Sequence, residues 1–538
     1  MFDYIIIGAG SAGCVLANRL TEDNQCSVLL LEAGGPDSKQ EVHIPIAFPT
    51  LFKSECDWAY ETEAQAALHQ RRLYWPRGKM LGGSSSMNGM IYIRGNAQDY
   101  EDWKALGNPG WGYADLLPYF KQAQNQERGS SEFHGVGGPL NVTDLRRVNP
   151  LSHIFIRAAL DTDLARCDDF NGAQQEGVGF YQVTQRQGQR HSAADAYLKP
   201  VLRRANLTVQ THAHATRLIF AGTRVTGAEY IHNGAIIQQG AAREVLLCGG
   251  AVNSPQLLML SGIGPAEHLS AMGVPVVVDL PGVGKNLQDH LLVSVNYQCQ
   301  QPITLMGADT LWNRLQYMLL RQGPLTSNIG EAGAFVKTQT HLALPNLQLT
   351  FAPVYSMCHG FANPQGEGFS IGLYQLRPKS RGEITLRAFD PLRAPMIQPH
   401  YLDHSDDLQT LVEGVKVARR IIHMHGFDRF RGAELWPGPE VESDEEIVEF
   451  IRNTAETLYH PVGTCKMGDD PLAVTDQRLR VRGVEGLRVV DASIMPTLIS
   501  GNPNAPTIMI GEKAADLIKQ DTASTTPYHP VLGQNLYN

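Results

Sequence analysis

Hydrophobic positions near the start of the chain form two nearly continuous runs, at residues 2–7 and 26–31. A run that is apolar on both faces is typical of a parallel strand covered by helices. The residues between these runs begin with a glycine-rich turn at 8–13. Helical spacing follows at 14–20. The pattern predicts a strand–turn–helix–strand unit that ends at Glu32.

The spacing of the hydrophobic positions changes in the middle of the chain. Leu347, Leu349 and Phe351 alternate with Gln348 and Thr350. Alternation of apolar and polar positions with period two is typical of an antiparallel strand with one face covered. Residues from about 295 to 400 therefore predict an antiparallel sheet rather than a continuation of the first one.

The remaining periodicities complete an α/β fold. Further expected elements are several strands within 206–250 with a turn at Asn233-Gly234, helices at 255–260, 407–423 and 507–519, a helix capped by Ser443 and Glu446, and a strand at 489–491. The first and last thirds of the chain should share one sheet. We predict a discontinuous Rossmann-like domain of residues 1–150, 195–295 and 456–525, a second α+β domain of residues 151–194 and 296–455 built on the antiparallel sheet, and a tail at 526–538.

Composition narrows the class of protein. Hydrophobic residues make up 43% and charged residues 18% of the 538 residues, which is typical of a globular chain and not of a disordered one. The net charge of −9 offers no basic surface, so we expect no nucleic-acid partner. The eight cysteines are scattered and predict reduced thiols. With no secretory signal and no transmembrane segment expected, the predicted location is the cytoplasm.

The turn at residues 8–13 has the spacing GxGxxG of a dinucleotide-binding fingerprint. Gly8 allows the tight turn, Gly10 lets the backbone approach a diphosphate, and Gly13 lets helix and strand pack closely. The helix N-terminus, with Ser11 and Ala12, would hold the diphosphate. Glu32, followed by Ala33, would accept hydrogen bonds from the ribose. This fingerprint alone does not distinguish FAD from NAD.

Two further segments identify the cofactor through their similarity to a known family. Residues 78–88 and 250–264 resemble the two signatures of the glucose-methanol-choline (GMC) oxidoreductases, and the resemblance extends from about residue 3 to residue 519. Within the family, the choline dehydrogenases and the alcohol dehydrogenases of alkane degradation share the patterns at 76–79, 284–290 and 459–464. The resemblance implies FAD. It assigns to the cofactor Arg77, Gly78, Leu81, Gly82, Gly83, Ser84, Met87, Asn88, Gly89, Met90, Ala215, Gly250, Asp491, Ala492, Asn502 and Pro503.

One departure from the family pattern predicts whether the cofactor is bound covalently. Some family members carry a flavin-linking histidine where this chain has Met87. A methionine cannot form that bond, so we expect non-covalent FAD.

The resemblance also implies the catalytic pair His460 and Asn502, with Asn504 as the alternative to Asn502. A neutral imidazole can take the hydroxyl proton of an alcohol at physiological pH, because its unperturbed pKa is about 6.5. Hydride then leaves the carbon for N5 of the flavin. Imidazolium and amide stabilise the alkoxide-like oxygen.

The expected reaction is oxidation of a primary alcohol to an aldehyde, with electrons passed to a quinone or another acceptor. Two alternatives remain: an oxidase that produces hydrogen peroxide, and a flavin-containing hydroxynitrile lyase. We expect Leu458 and Tyr459 to border the substrate pocket. Glu331 is either a residue of that pocket, where it could meet the cation of choline, or a surface carboxylate.

Two other patterns carry weaker predictions. Leu311, Trp312, Leu315, Met318 and Leu319 form an apolar helical face flanked by arginines. This face indicates either peripheral contact with the inner face of the cytoplasmic membrane or packing on the second sheet. The pairs His212/His214 and His423/His425 lack neighbouring cysteines or carboxylates, so we expect no metal.

Overall fold

The computed structural model describes residues 1–362 and 364–524. The strands of its two large sheets are β1 Phe2–Ile7, β2 Val28–Leu31, β3 Gly177–Phe180, β4 Leu207–Gln210, β5 Ala213–Ala221, β6 Arg224–His232, β7 Ala235–Leu247, β8 Leu291–Cys299, β9 Ala332–Val336, β10 Leu347–Ala352, β11 Gly368–Gln375, β12 Arg431–Trp436, β13 Glu456–Thr457 and β14 Leu487–Val489. The main helices are α1 Ser11–Leu20, α2 Ala97–Ala105, α3 Tyr113–Ala123, α4 Pro150–Leu160, α5 Gly250–Leu260, α6 Leu311–Leu320, α7 Ser405–Ile422, α8 Asp444–Thr454 and α9 Asn504–Ser524.

Shorter elements connect these. Two-residue and three-residue strands pair as Tyr60–Glu61 with Tyr74–Trp75, Gln124–Gln126 with Leu140–Val142, Gln185–Arg186 with Gln189–Arg190, Ile263–Gly264 with Val278–Asp279, and Glu383–Thr385 with Met396–Gln398. Short helical turns include Gln40–His43, Pro45–Leu51, Gly83–Ser86, Ala266–Ala271, Pro324–Thr326, Cys358–Gly360 and Ala492–Ile494.

The first large sheet brings the two ends of the chain together. Its parallel part has the order β4-β2-β1-β7, and β14 pairs with β7 on the far side. The long strand β7 continues into an antiparallel extension with β6 and β5. Fully buried Ile, Leu and Val side chains fill β1 and β2, as expected for strands covered on both faces. The prediction of one sheet shared by the first and last thirds is confirmed.

Helix α1 starts earlier than the sequence predicted. The expected turn covered residues 8–13, but the helix begins at Ser11, so Ala12 and Gly13 lie in its first turn. Helix α5 likewise begins at Gly250 rather than at 255, and α9 spans Asn504–Ser524. Ser11 and Gly250 are small, which lets α1 and α5 start close to the ends of β1 and β7.

The second large sheet is antiparallel, with the order β12-β8-β11-β10-β9-β3 and β13 paired to β8. Its apolar face packs on helices, where Phe351 of β10 stacks on Phe155 of α4 with ring centroids 5.0 Å apart. The expectation that only this face is covered was wrong. The polar face, with Gln348 and Thr350, is turned toward the interior, and Thr350 borders the cavity described below.

Other predictions fare as follows. The helix at 407–423 is α7, and Ser443 and Glu446 form the predicted capping box of α8. Among residues 1–362 and 364–524, no helix combines the length and apolarity that crossing a bilayer requires. The domain boundaries stay a prediction, and the tail at 526–538 lies outside the described residues.

Candidate active site

A cavity of about 720 Å³ separates the two sheets. One end is formed by the carboxyl ends of β1 and β2 and the start of α1, with Gly8 and Glu32 in the wall. The other end is formed by the inner face of the second sheet together with His460 and Asn502. Ligands of open α/β sheets bind outside the carboxyl ends of the strands, which is where this cavity lies.

The glycine turn at the first end is packed too tightly for side chains. A Cβ atom on Gly13 would lie 1.9 Å from the carbonyl oxygen of Gly8, and Gly8 itself has φ = +104°. Gly10 is the N-cap of α1 and has no side-chain capping bond. The free N–H groups of the first helical turn therefore face an opening in which an anion would be stabilised.

Glu32 follows β2 beside this turn. Its two carboxylate oxygens accept the backbone N–H groups of Ala9, at 2.9 Å, and Gly34, at 2.8 Å. Burial raises the pKa of the carboxyl group to about 7. The hydrogen bonds fix the side chain in the cavity wall.

The loop at residues 78–90 lies against the glycine turn. The N–H of Gly82 donates to the carbonyl of Ala9 at 2.7 Å, and a Cβ on Gly83 would lie 2.8 Å from Cα of Gly10. Arg190, which the sequence did not single out, donates to Oδ1 of Asn88 at 2.8 Å and so holds the end of this loop. The two glycine-rich segments form one continuous wall.

Most residues assigned to the cofactor, by the fingerprint or by the resemblance, lie in the cavity wall. They are Gly8, Gly10, Ser11, Ala12, Glu32, Ala33, Arg77, Gly78, Gly83, Ser84, Met87, Asn88, Gly89, Met90, Ala215, Gly250, Asp491, Ala492, Asn502 and Pro503. Gly13, Leu81 and Gly82 do not line it. Gly13 packs α1 on β1, Leu81 is buried in the core, and Gly82 bonds to the glycine turn. These three residues support the cavity wall without lining the cavity.

Asp491 holds the start of α5 against the cavity. Its Oδ2 atom accepts the N–H of Gly250 at 2.8 Å and the hydroxyl of Ser254 at 2.5 Å. Burial raises the pKa of this carboxyl group. The carboxylate therefore caps the helix that begins at the second signature segment.

His460 and Asn502 meet at the second end of the cavity. Nδ2 of Asn502 lies 3.2 Å from Nε2 of His460, and Oδ1 of Asn502 is buried without a protein partner. Asn504 instead accepts a hydrogen bond from the hydroxyl of Ser11 at 2.8 Å. The geometry therefore joins Asn502, and not Asn504, to the imidazole.

The segment 286–290 anchors His460. Gln288 and Val462 exchange backbone hydrogen bonds of 3.1 and 2.9 Å. Asp289 accepts the backbone N–H of His460 at 2.7 Å, and Nδ1 of His290 lies 2.9 Å from Nδ1 of His460. The sequence had shown only that relatives share this pattern.

Burial sets the protonation state of the pair. His460 is 8% exposed, and burial lowers the pKa of its imidazole well below the usual value, with the positive charge of Arg77 adding to the effect. Burial also raises the pKa of Asp289. The imidazole of His460 is therefore neutral at physiological pH.

A family model described as GMC oxidoreductase matches residues 2–292, and a second one of the same description matches residues 378–511. The chain belongs to the GMC oxidoreductase family. Its similarity covers the whole chain, as the resemblance of the signature segments predicted.

Named relatives make the placement more specific. An alcohol dehydrogenase [acceptor] of Pseudomonas putida is 46% identical over 547 residues, covering 100% of this chain and 99% of the relative. The mitochondrial choline dehydrogenase of Homo sapiens is 46% identical over 536 residues, covering 97% and 90%. The crystal structure of pyridoxine 4-oxidase from Mesorbium loti has a TM-score of 0.89 and 34% identity, covering 96% and 99%. The protein is an FAD-dependent GMC enzyme similar to alcohol and choline dehydrogenases.

Several cavity residues of this GMC enzyme escaped the sequence analysis. Leu458 and Tyr459 border the cavity as expected, but so do Phe52, Trp58 and Glu456. Burial raises the pKa of the Glu456 carboxyl group to about 7. Phe52 and Trp58 come from a segment distant in sequence from His460. Glu456 lies in β13, just before Leu458, but no local signal shows that its side chain faces the cavity.

One expectation about a charged group needs correction. Glu331 is neither a pocket residue nor a surface carboxylate. It is 1% exposed, does not line the cavity, and accepts bonds from Asn149 N–H and the hydroxyls of Ser152 and Ser327 at 2.6 to 2.8 Å. His214, discounted as a metal ligand, lies in the cavity wall with its ring 5.6 Å from that of Trp58.

Within residues 1–362 and 364–524, one group of side chains has the spacing of metal ligands, namely Asp37, His43 and Asp195. The ammonium group of Lys199 lies 2.7 Å from both carboxylates and already balances their charge. This cluster is therefore an ion-pair network.

Proposed function

We propose that the protein oxidises a primary alcohol to the aldehyde with non-covalent FAD, using His460 as the base, and passes the electrons to a quinone or a similar acceptor. The observation that carries the proposal is the pairing of Nε2 of His460 with Nδ2 of Asn502 at 3.2 Å in the wall of the cavity that begins at the glycine turn. The cavity thus joins a dinucleotide-type wall to a buried base.

The residues present fit FAD. The uncapped start of α1 at Gly10 suits a diphosphate, and Glu32 is fixed where a ribose would bind. The unpartnered Oδ1 of Asn502 and the unpartnered Nε of Arg77 are buried polar atoms that a bound group would satisfy. When bound, FAD supplies the hydride acceptor at its N5 atom. Met87 supports non-covalent binding, because a thioether offers no linking nitrogen.

The residues of the chain provide the proton step. Neutral His460 takes the hydroxyl proton of the alcohol on Nε2, and negative charge develops on the substrate oxygen. Protonated His460 and the amide N–H of Asn502 then stabilise that oxygen. The expulsion of hydride from the carbon becomes favourable only as this charge develops.

The wall near His460 favours an uncharged alcohol. Phe52, Leu292, Ile329 and Val354 contribute apolar surface to the cavity that His460 lines. Choline is the second candidate, because the Glu456 carboxyl lines the same cavity and could meet a cation. Since the pKa of Glu456 is raised to about 7, the carboxyl is only partly ionised at neutral pH. Its attraction for a quaternary ammonium group is weakened accordingly.

We further propose that helix α6 attaches the protein to an anionic lipid surface, most simply at the inner face of the cytoplasmic membrane. The five residues of its predicted apolar face are 42 to 78% exposed, and Tyr317 is the one buried residue of the helix. They do not pack on the second sheet.

The charges and neighbours of α6 support lipid as the partner. The backbone oxygen of Arg321 and the side chain of Arg146 both border Gly188, and among described residues neither guanidinium has a carboxylate partner, whereas Arg314 pairs with Asp309. Trp312 suits the interfacial layer of a bilayer. The hydroxyl of Tyr317 donates to the carbonyl of His43, next to the segment whose Phe48 lines the cavity. A quinone dissolved in the bilayer would therefore have a short route to the cavity.

Steady-state assays with the FAD-loaded protein test the proposed function. Aldehyde should form from primary alcohols with a soluble quinone analogue as acceptor, faster than hydrogen peroxide forms in air. Dominant peroxide formation would instead make the protein an oxidase. Cleavage of a cyanohydrin without any redox turnover would make it a lyase.

A further inference from the structure

His290 connects the base to the second sheet. Its side chain is fully buried, with Nε2 lying 3.0 Å from the carbonyl oxygen of Leu376 and Nδ1 lying 2.9 Å from Nδ1 of His460. The two imidazole rings meet edge to face, with centroids 5.2 Å apart. The imidazole of His290 therefore has one protein partner on each nitrogen.

The carbonyl of Leu376 determines how protons are distributed over both rings. A carbonyl only accepts hydrogen bonds, so Nε2 of His290 carries a proton and donates it. Burial lowers the pKa of His290 to about 4, so the ring is neutral and its Nδ1 has a lone pair. The short contact between the two Nδ1 atoms then requires His460 to donate. His460 carries its proton on Nδ1, and its Nε2 is left as the acceptor.

We propose that His290 is a positioning residue that fixes the tautomer of His460, so that the nitrogen facing Asn502 and the cavity is the free base. This inference rests on the proposed function, because it explains how that base is held ready. It assigns a role to a residue that does not line the cavity.

Other charged and titratable groups around the two rings do not set this tautomer. The carboxylate of Asp289 accepts hydrogen bonds from the backbone N–H of His460 and from the hydroxyls of Thr457 and Tyr401. The hydroxyl of Tyr374 pairs with Thr350 at 3.3 Å. Arg77 acts on His460 through its charge, and the hydroxyl of Tyr459 pairs with His359. The hydrogen-bond acceptor for Nδ1 of His460 is therefore His290.

Two substitutions separate the two bonds of His290. In His290→Asn, Oδ1 takes the place of Nδ1 and can still accept from His460, but the donor to Leu376 is lost. In His290→Gln, Nε2 takes the place of the ring Nε2 and can still donate to Leu376, but the acceptor beside His460 is lost. A merely structural role, anchoring to Leu376, would make His290→Asn the more damaging change.

The direct readout is the ¹⁵N spectrum of the protein labelled in its histidine rings, with the His460 signals identified by their loss in His460→Asn. We expect a protonated Nδ1 and a bare Nε2 in the wild type and in His290→Asn, and a protonated Nε2 in His290→Gln. A wild-type His460 protonated on Nε2 would overturn the proposal, even if neither variant folds.

The second readout is the pH profile of anaerobic flavin reduction by an alcohol. His290→Gln should lower the rate about 10²-fold or more at every pH, as loss of a general base does, with FAD content unchanged. His290→Asn should stay within about tenfold of the wild type. Equal impairment of both variants, or a normal rate in His290→Gln, would refute the positioning role. If no alcohol reduces even the wild type, the proposed function fails, and the spectrum still decides the tautomer.

Discussion

Nε2 of His460 and Nδ2 of Asn502 lie 3.2 Å apart, and the backbone N–H of His460 is held by Asp289 at 2.7 Å. The bond to the backbone of His460 thus holds the residue in place, and the imidazole presents Nε2 to the cavity. A base held in this way needs no rearrangement before it meets a hydroxyl group.

Replacing the base tests its role. His460→Gln should lower the rate of anaerobic flavin reduction by about 10² to 10⁴-fold, because a general base contributes that much. FAD content and melting temperature should stay close to the wild-type values, since Asp289 binds the backbone and not the ring. A reduction rate within threefold of the wild type would assign the base to another residue.

The pH dependence follows from the burial of His460. A lowered pKa keeps the imidazole unprotonated, and therefore active as a base, to more acidic pH than the usual 6.5. The flavin reduction rate should be constant above about pH 6.5 and fall only below it. Stopped-flow measurements from pH 5 to 9 check this. A rate that rises continuously through neutral pH would show that the base is protonated there.

Local signals in the sequence explain why much of the fold could be predicted. The unbroken apolar run at 2–7 and the glycine spacing at 8–13 each lie within one segment, so the strand and the turn could be read directly. The alternation at 347–351 identified an antiparallel strand, but not that its polar face would border a cavity. That requires knowing which element covers the sheet.

The candidate site was less accessible to sequence analysis. The resemblance pointed to His460 and Asn502, but the contact between His290 and His460 joins residues 170 positions apart, and no pattern in the sequence shows that Glu456 faces the cavity. Glu331, by contrast, was a candidate from the sequence but does not line the cavity. Its GEAG context gave no indication that three donors from distant loops would bury and satisfy the carboxylate.

The carboxyl group of Glu456 separates the two substrate classes. Its pKa is raised to about 7 by burial, so it gains charge between pH 6 and pH 8. If choline binds, its KM should fall over that range, and Glu456→Gln should raise KM for choline and remove the pH dependence. A neutral alcohol of similar size serves as the internal control. We expect kcat/KM for that alcohol to exceed the value for choline and to change less than threefold in Glu456→Gln.

The third glycine of the turn can be tested through cofactor content. In Gly13→Ala, the new Cβ would lie 1.9 Å from the backbone oxygen of Gly8, so the turn must shift and FAD should be lost. The control is Gly307→Ala, where a Cβ meets nothing within 4 Å. Absorbance of bound flavin per protein gives the answer. Full flavin content in Gly13→Ala would contradict the assigned packing.

The lipid-binding role of α6 predicts sedimentation with vesicles. The wild type should sediment with phosphatidylglycerol vesicles, and the double variant Trp312→Glu/Leu319→Glu should not, because two charges replace the apolar contact. Leu392→Glu/Leu472→Glu is the matched control, since both leucines are exposed elsewhere. Equal binding by the two double variants, or none by the wild type, would rule out this surface.

The most direct test of the central claim is anaerobic mixing of the FAD-loaded protein with primary alcohols while flavin absorbance is followed. We predict bleaching by at least one uncharged alcohol, formation of one aldehyde per flavin, and loss of the bleaching in His460→Gln. A yellow protein that no alcohol bleaches, choline included, would contradict the account.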